Sequence, residues 1–209
     1  MKSKYKVLKT ALTKLGNTIE LISPSPFTLH PSLIIGVFHG DEPQGKFLIE
    51  EYLKTTCAKN SLFIPCLNPD GLQLGRRTNA NSVDLNRNFP TENWELTEKN
   101  EFFGGNKPAS EIETKFLIEV IEEYKPSLIL TLHAPFKVVN YDGPAKELTE
   151  KISKIINYPV EPSIGYPTPG SFGTFAGIER QIPAITLELD ETCPVEDLIK
   201  PVHQIFDLL

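Results

Sequence analysis

The sequence predicts an α/β layered domain, a mixed and largely parallel twisted β-sheet flanked by helices. Short apolar runs without polar interruption alternate with longer stretches whose apolar residues recur at helical spacing. Several of the apolar runs end in a polar or titratable residue, as strands do when their C-terminal ends build a site. A long interval, 68–109, breaks this rhythm.

The elements follow in order. "SLIIGVF" (32–38) reads as a buried strand. "QGKFLIEEYLKTTC" (44–57) spaces Phe47, Leu48, Tyr52 and Leu53 as a helix does. "SLFIPCL" (61–67) is the next strand. "SEIETKFLIEVIEEY" (110–124) is an amphipathic helix through Ile112, Phe116, Leu117, Val120 and Ile121. Ser110 and Glu113 are spaced as a capping box at its start. "SLILTLH" (127–133) is a strand, "AKELTEKISKII" (145–156) a helix, "AITLEL" (184–189) a strand, and a last helix is expected over 195–208. With no linker, repeat or low-complexity tract, residues 1–209 form one predicted domain.

The 209 residues carry a net charge of −6, so no basic surface exists for a nucleic acid, and no apolar run is long enough to span a membrane. The N-terminal "MKSKYKVLKTALTKLGN" is basic, but it has no apolar core or cleavage site of a secretory leader, and its lysines are scattered. Cys57, Cys66 and Cys193 are an odd set without C-x-x-C spacing, which fits a reducing compartment, hence the cytoplasm, with each thiol a small apolar filler.

Candidate chemistry begins at "HGDE" (39–42), where His39 and Glu42 follow a strand end. Alone they suit either a polar turn or two legs of a metal site. His133 ends another strand; a lone histidine there is more often a hydrogen-bonded structural residue than a ligand. Together, two histidines and a carboxylate suit zinc and leave a fourth position for water. His30 and His203 lack such placement and read as surface residues. Glu188 lies in an apolar strand, where an acid is costly unless paired or facing a cavity. A salt bridge to Arg180 or a general base both account for it, and Asp190 competes for the second role. The interval 68–109 carries "NPDG" (68–71), which reads on its own as a tight turn. It also carries Arg76, Arg77 and Arg87, whose guanidinium groups suit a carboxylate or an oxyanion, hence a small anionic substrate.

In this order "HGDE", "NPDG", "RTNANSVDLNRNFP", "PASEIET", "TLH" and "ITLEL" resemble the zinc carboxypeptidase family from about residue 33 to about 190. The resemblance implies that family's fold, one zinc ion held by His39, Glu42 and His133, and Glu188 as general base. It places the carbonyl-polarising arginine at Arg77, with Arg76 as a one-residue shift, and the grip on the substrate's terminal carboxylate at Asn86 and Arg87. The mobile tyrosine that closes over substrate falls near Tyr166. "TPGSFGTFAGIERQIPAITLEL" (168–189) is most similar to a branch acting on cell-wall peptides, at the bond between γ-D-glutamate and meso-diaminopimelate. Ala-Pro after His133 departs from the Ser-Tyr of digestive members. A deacylase of the aspartoacylase and succinylglutamate desuccinylase type shares H-x-x-E and an asparagine–arginine pair, but lacks the NPDG, SEIET and ITLEL contexts. A general metallocarboxypeptidase fits the same motifs, as does a non-catalytic module that keeps the carboxylate grip.

Overall fold

The computed structural model describes residues 5–24, 26–55, 60–161 and 168–209. Strands β1 (Lys6–Leu12), β2 (Thr18–Ser23) and β3 (Ser32–Gly36) precede helix α1 (Gln44–Thr55). Then come β4 (Ser61–Ile64), α2 (Pro69–Leu74), α3 (Ile112–Tyr124), β5 (Leu128–His133), β6 (Val138–Asp142), α4 (Lys146–Ile156), β7 (Ala184–Glu188) and α5 (Ile199–Leu208). The strands form one sheet in the order β1-β2-β4-β3-β5-β7-β6. The inner strands β4, β3, β5 and β7 are parallel, and β1, β2 and β6 add antiparallel edges. The expected α/β class and mixed sheet are therefore present.

Period-two alternation divides the buried strands between two cores. Ile34, Leu130, Leu132, Ile185 and Leu187 pack with α1, α4 and α5 through Leu48, Tyr52, Ile152, Val202 and Phe206. Leu33, Ile35 and Ile129 face the opposite side, against Phe116, Leu117 and Val120 of α3 and against Phe89, Phe172 and Phe175. Three parallel strands thus end at one sheet edge with both faces filled. The fold leaves little there except the polar residues that follow β3, end β5 and end β7.

Several expectations need correction. The antiparallel strands β1, β2 and β6 were not predicted; they alternate too irregularly to read as strands, and β1 to β2 carries a bulge between Val7 and Lys9. "NPDG" is no isolated turn: Asn68 caps α2, its Oδ1 accepting from the Gly71 N–H at 2.9 Å. The Ser110–Glu113 capping box does not form. Glu111 is the cap residue and makes no side-chain cap bond, while Ser110 Oγ donates to Glu111 Oε1. Ile112 is largely exposed at 39%, since α3 turns its buried stripe through Phe116 and Val120 instead. The last helix starts as a 3₁₀ turn over Val195–Leu198. His203 is half-buried, with its ring against Tyr52 and Phe206 and Nε2 at 3.1 Å from the Leu48 carbonyl oxygen. Cys66 is buried, Cys193 half-buried, and Cys57 lies outside the described residues.

Candidate active site

β3 ends at Gly36, and the chain turns through Val37 at φ 55°, a left-handed conformation that a β-branched residue rarely adopts. The Val37 carbonyl accepts from the Asn68 N–H at 3.0 Å, which holds the turn against α2. Gly40 then runs against Gly71: a Cβ on Gly40 would lie 1.9 Å from the Gly71 carbonyl carbon. The glycine of "HGDE" is thus required by this backbone contact, while a Cβ on Gly71 of "NPDG" would instead meet the Asn68 side chain at 2.5 Å and the Thr78 carbonyl oxygen at 2.7 Å; the contact presents His39 and Glu42 at the sheet edge.

His39, Glu42 and His133 converge there. Their donor atoms all lie within 4.8 Å of one another. The two oxygens of Glu42 lie 2.8 Å from His39 Nδ1 and 3.0 Å from His133 Nδ1. His133 is register partner to Glu188 on the neighbouring parallel strand, which puts that carboxylate beside the cluster. Phe38 stacks on the His133 ring with centroids 5.3 Å apart. Among the protein groups alone, burial disfavours the His39 cation, but the carboxylates of Glu42 and Asp84 more than offset it and hold the group up to about 9. A divalent cation would supply these carboxylates with the same compensation and leave the imidazole neutral, the state in which it binds metals. Two imidazole nitrogens and a carboxylate, with the second His39 nitrogen already oriented, fit zinc.

Asp84 provides that orientation and was not singled out in the sequence. It is fully buried. Its Oδ1 lies 3.2 Å from His39 Nε2 and accepts the Asn86 N–H at 2.9 Å. Its Oδ2 accepts from Arg77 Nε at 3.0 Å and Nη2 at 2.8 Å. Burial pushes the Asp84 carboxyl upward, but His39, Arg77 and Arg87 outweigh it and hold it below the usual range. One carboxylate therefore ties together His39, the arginine nearest the cluster and the start of the Asn86–Arg87 pair. The signal was present as the aspartate of "VDLNRNF".

Arg76 points elsewhere, its Nη2 donating to the Asn79 carbonyl at 2.5 Å. Asn86 Oδ1 accepts from the Phe172 N–H at 2.9 Å, which leaves the amide nitrogen as the side chain's donor. Arg87 is buried and its Nη1 donates to the Asn86 carbonyl at 2.7 Å. Tyr166 lies outside the described residues.

Glu188 is 7% exposed, and its Oε2 has no hydrogen-bond partner among the described residues. Burial raises its carboxyl above the usual range, with His133 partly opposing. No ion pair to Arg180 forms: that guanidinium donates to the Phe175 carbonyl at 2.9 Å and lies over the Phe175 ring. Asp190 is already satisfied, 2.6 Å from Lys137 Nζ and accepting from Thr192. A buried carboxylate with an open oxygen, beside a triad that could hold a metal ion, is equipped to accept a proton.

The model of the family described as "Zinc carboxypeptidase" matches residues 33–160. The chain is 35% identical over 180 residues to murein peptide amidase A of Escherichia coli strain K12, covering 79% of this chain and 74% of the relative. It is 38% identical over 175 residues to murein peptide amidase A of Vibrio campbellii, covering 75% and 68%. A crystal structure of murein-tripeptide amidase MpaA from Escherichia coli O157 superimposes with a TM-score of 0.86 at 28% identity, over 98% of this chain and 90% of that one.

Proposed function

The chain belongs to the zinc carboxypeptidase family and is a zinc metallopeptidase, and within that family we propose that it hydrolyses murein peptides at the γ-D-glutamyl–meso-diaminopimelate bond. The supporting observation is the meeting of His39, Glu42 and His133 beside the Glu188 carboxylate, whose Oε2 has no hydrogen-bond partner among the described residues. The two amidases at 35% and 38% identity support the choice of substrate.

In this reading His39, Glu42 and His133 hold one zinc ion, and residues 1–209 serve as one catalytic domain. Bound there, zinc supplies Lewis acidity and brings a water molecule's pKa towards neutrality. Glu188 takes the proton from the attacking water on Oε2 and returns it to the departing amine of diaminopimelate. Arg77, anchored through Nε and Nη2 on Asp84, stabilises the oxygen of the reacting carbonyl. A single such donor is worth about 3–4 kcal/mol. Asn86 Nδ2 and Arg87 grip the carboxylate of the leaving amino acid and set its register. Tyr166 is assigned as the residue that closes over substrate. A cell-wall recycling role in the cytoplasm is consistent with the free thiols of Cys66 and Cys193. No helix among the described residues is long and apolar enough to cross a membrane.

The test is mass-spectrometric. Zinc-loaded protein is incubated with L-Ala-γ-D-Glu-meso-diaminopimelate, with and without a chelator. Release of diaminopimelate that the chelator abolishes is the expected result. Intact tripeptide with zinc still bound discards the substrate assignment, and N-acetylaspartate and N-succinylglutamate in the same panel then identify a deacylase.

A further inference from the structure

An open hollow of about 950 Å³ adjoins the catalytic cluster. Arg77 and Asp41 line it; Asn86 and Arg87 are not among the described residues that do. Arg77 attends the reacting carbonyl and Arg87 the leaving amino acid, so the hollow lies on the acyl side of the scissile bond. It is large enough for the two residues that precede that bond in a tripeptide.

Its charged lining is of both signs: Asp41, Arg76, Arg77, Lys99, Glu101 and Glu111. Arg77 is neutralised by Asp84. Glu111 is taken by Asn79, Asn81 and Ser110. Arg76 differs. It is half-buried, its Nη2 is fixed on the Asn79 carbonyl, its Nε is buried without a hydrogen-bond partner, and no carboxylate among the described residues pairs with it. A guanidinium held in place with its charge uncompensated is suited to a carboxylate delivered from the hollow. Asp41 is exposed next to Glu42, and it takes no hydrogen bond or ion pair from the described residues although two guanidinium groups share the hollow with it. Its carboxylate is available to a cation.

Resting on the amidase reading above, we infer that Arg76 and Asp41 are specificity-determining residues for a zwitterionic acyl group. Arg76 takes the α-carboxylate that a γ-linked glutamate leaves off the main chain, and Asp41 takes the free ammonium of the residue before it. The preferred substrate is then a free-standing peptide with an open amino terminus, not one acylated on that nitrogen and not one whose off-chain carboxylate is amidated.

The experiment compares kcat/KM for three substrates: the parent tripeptide, its N-acetyl form and its form with the D-glutamate α-carboxylate as carboxamide. For the wild type, each modification is expected to lower kcat/KM about tenfold, the order of one well-placed charge interaction. In Asp41→Asn the parent-to-N-acetyl ratio collapses towards one while the parent-to-carboxamide ratio stays near ten. Arg76→Gln shows the reverse pattern, and Arg76→Lys restores part of the carboxylate preference. Equal losses on modified and parent substrates in Asp41→Asn, an exposed position where folding is not at stake, overturn the assignment. If the wild type cleaves all three equally, the amidase reading stands and this inference falls. If it releases no diaminopimelate from any of them, the reading beneath it falls too.

Discussion

Glu188 combines a high burial cost with an open oxygen, and a glutamine of the same shape separates its two possible roles. Glu188→Gln keeps the side-chain volume and removes the base. The expected loss in kcat is about 10³-fold, within the range for a positioned general base. Metal content by mass spectrometry stays at the wild-type level. A variant within tenfold of wild-type kcat would sink the assignment of Glu188. Asp84 makes a different prediction, because it touches no reacting atom. Asp84→Asn removes the charge that orients His39 and anchors Arg77, so zinc affinity in a chelator competition should weaken by about 10–100-fold, as for outer-shell partners of metal-bound histidines. Unchanged affinity would make Asp84 a structural residue only. His39, Glu42, His133 and Glu188 were legible in the sequence because each sits at a strand end or inside an apolar strand where a polar group needs a reason. Asp84 was visible only as the aspartate of "VDLNRNF": that it joins Arg77, seven residues away, to His39, 45 residues away, no local pattern reveals.

At the level of elements, the segment from Arg76 to Asn88 depends on the start of α3. Asn79 Nδ2 donates to Glu111 at 2.8 Å and to Glu113 at 3.2 Å. Asn88 Nδ2 reaches the Gly104 carbonyl at 2.7 Å and Ser110 Oγ at 3.0 Å. These contacts explain why the Ser110–Glu113 spacing does not cap the helix: both side chains are recruited to the loop. Burial, with Glu111 and Asp70 adding repulsion, pushes the Glu113 carboxyl up to about 7, while the Asn79 bond opposes it. Since the folded chain binds this proton more tightly than the unfolded one, stability from Glu113 is complete below about pH 4.5. It declines as the pH rises through about 7. Between pH 5 and 8 the wild type should therefore lose about 2–3 kcal/mol more unfolding free energy than Glu113→Gln. Parallel urea titrations of the two proteins at those pH values measure the difference, and matching slopes with pH would exclude the effect. The inner strands and the long helices were readable because burial on both faces, or on one stripe, stamps a period on the sequence. The outer antiparallel strands β1, β2 and β6 face solvent in part, and their pairing, not their composition, makes them strands.

For the whole molecule, the site lies where the turn after β3 meets the end of β5, two segments separated by more than ninety residues. The sheet brings them together by burying both faces of its inner strands, which forces the polar residues out to one edge. The α/β class was readable because that burial leaves its mark along the chain; the turn through Val37, Gly40 and Gly71 was not, because it is fixed by a backbone contact between distant segments. Such a site exists only in the folded chain, so a metal bound there favours folding by mass action. At free zinc about a thousandfold above the dissociation constant the gain is about 4 kcal/mol. For a domain of this size that corresponds to a rise in Tm of about 8–16 °C. Thermal melts of chelated and zinc-loaded protein should differ by this amount, and Glu42→Gln should lose most of the difference because it removes the carboxylate shared by both histidines. Glu188→Gln should retain the shift, since Glu188 faces the ligands without being one. A Tm that zinc leaves unmoved in the wild type would remove His39, Glu42 and His133 as the metal site. An equal loss in Glu42→Gln and Glu188→Gln would instead make Glu188 a fourth ligand.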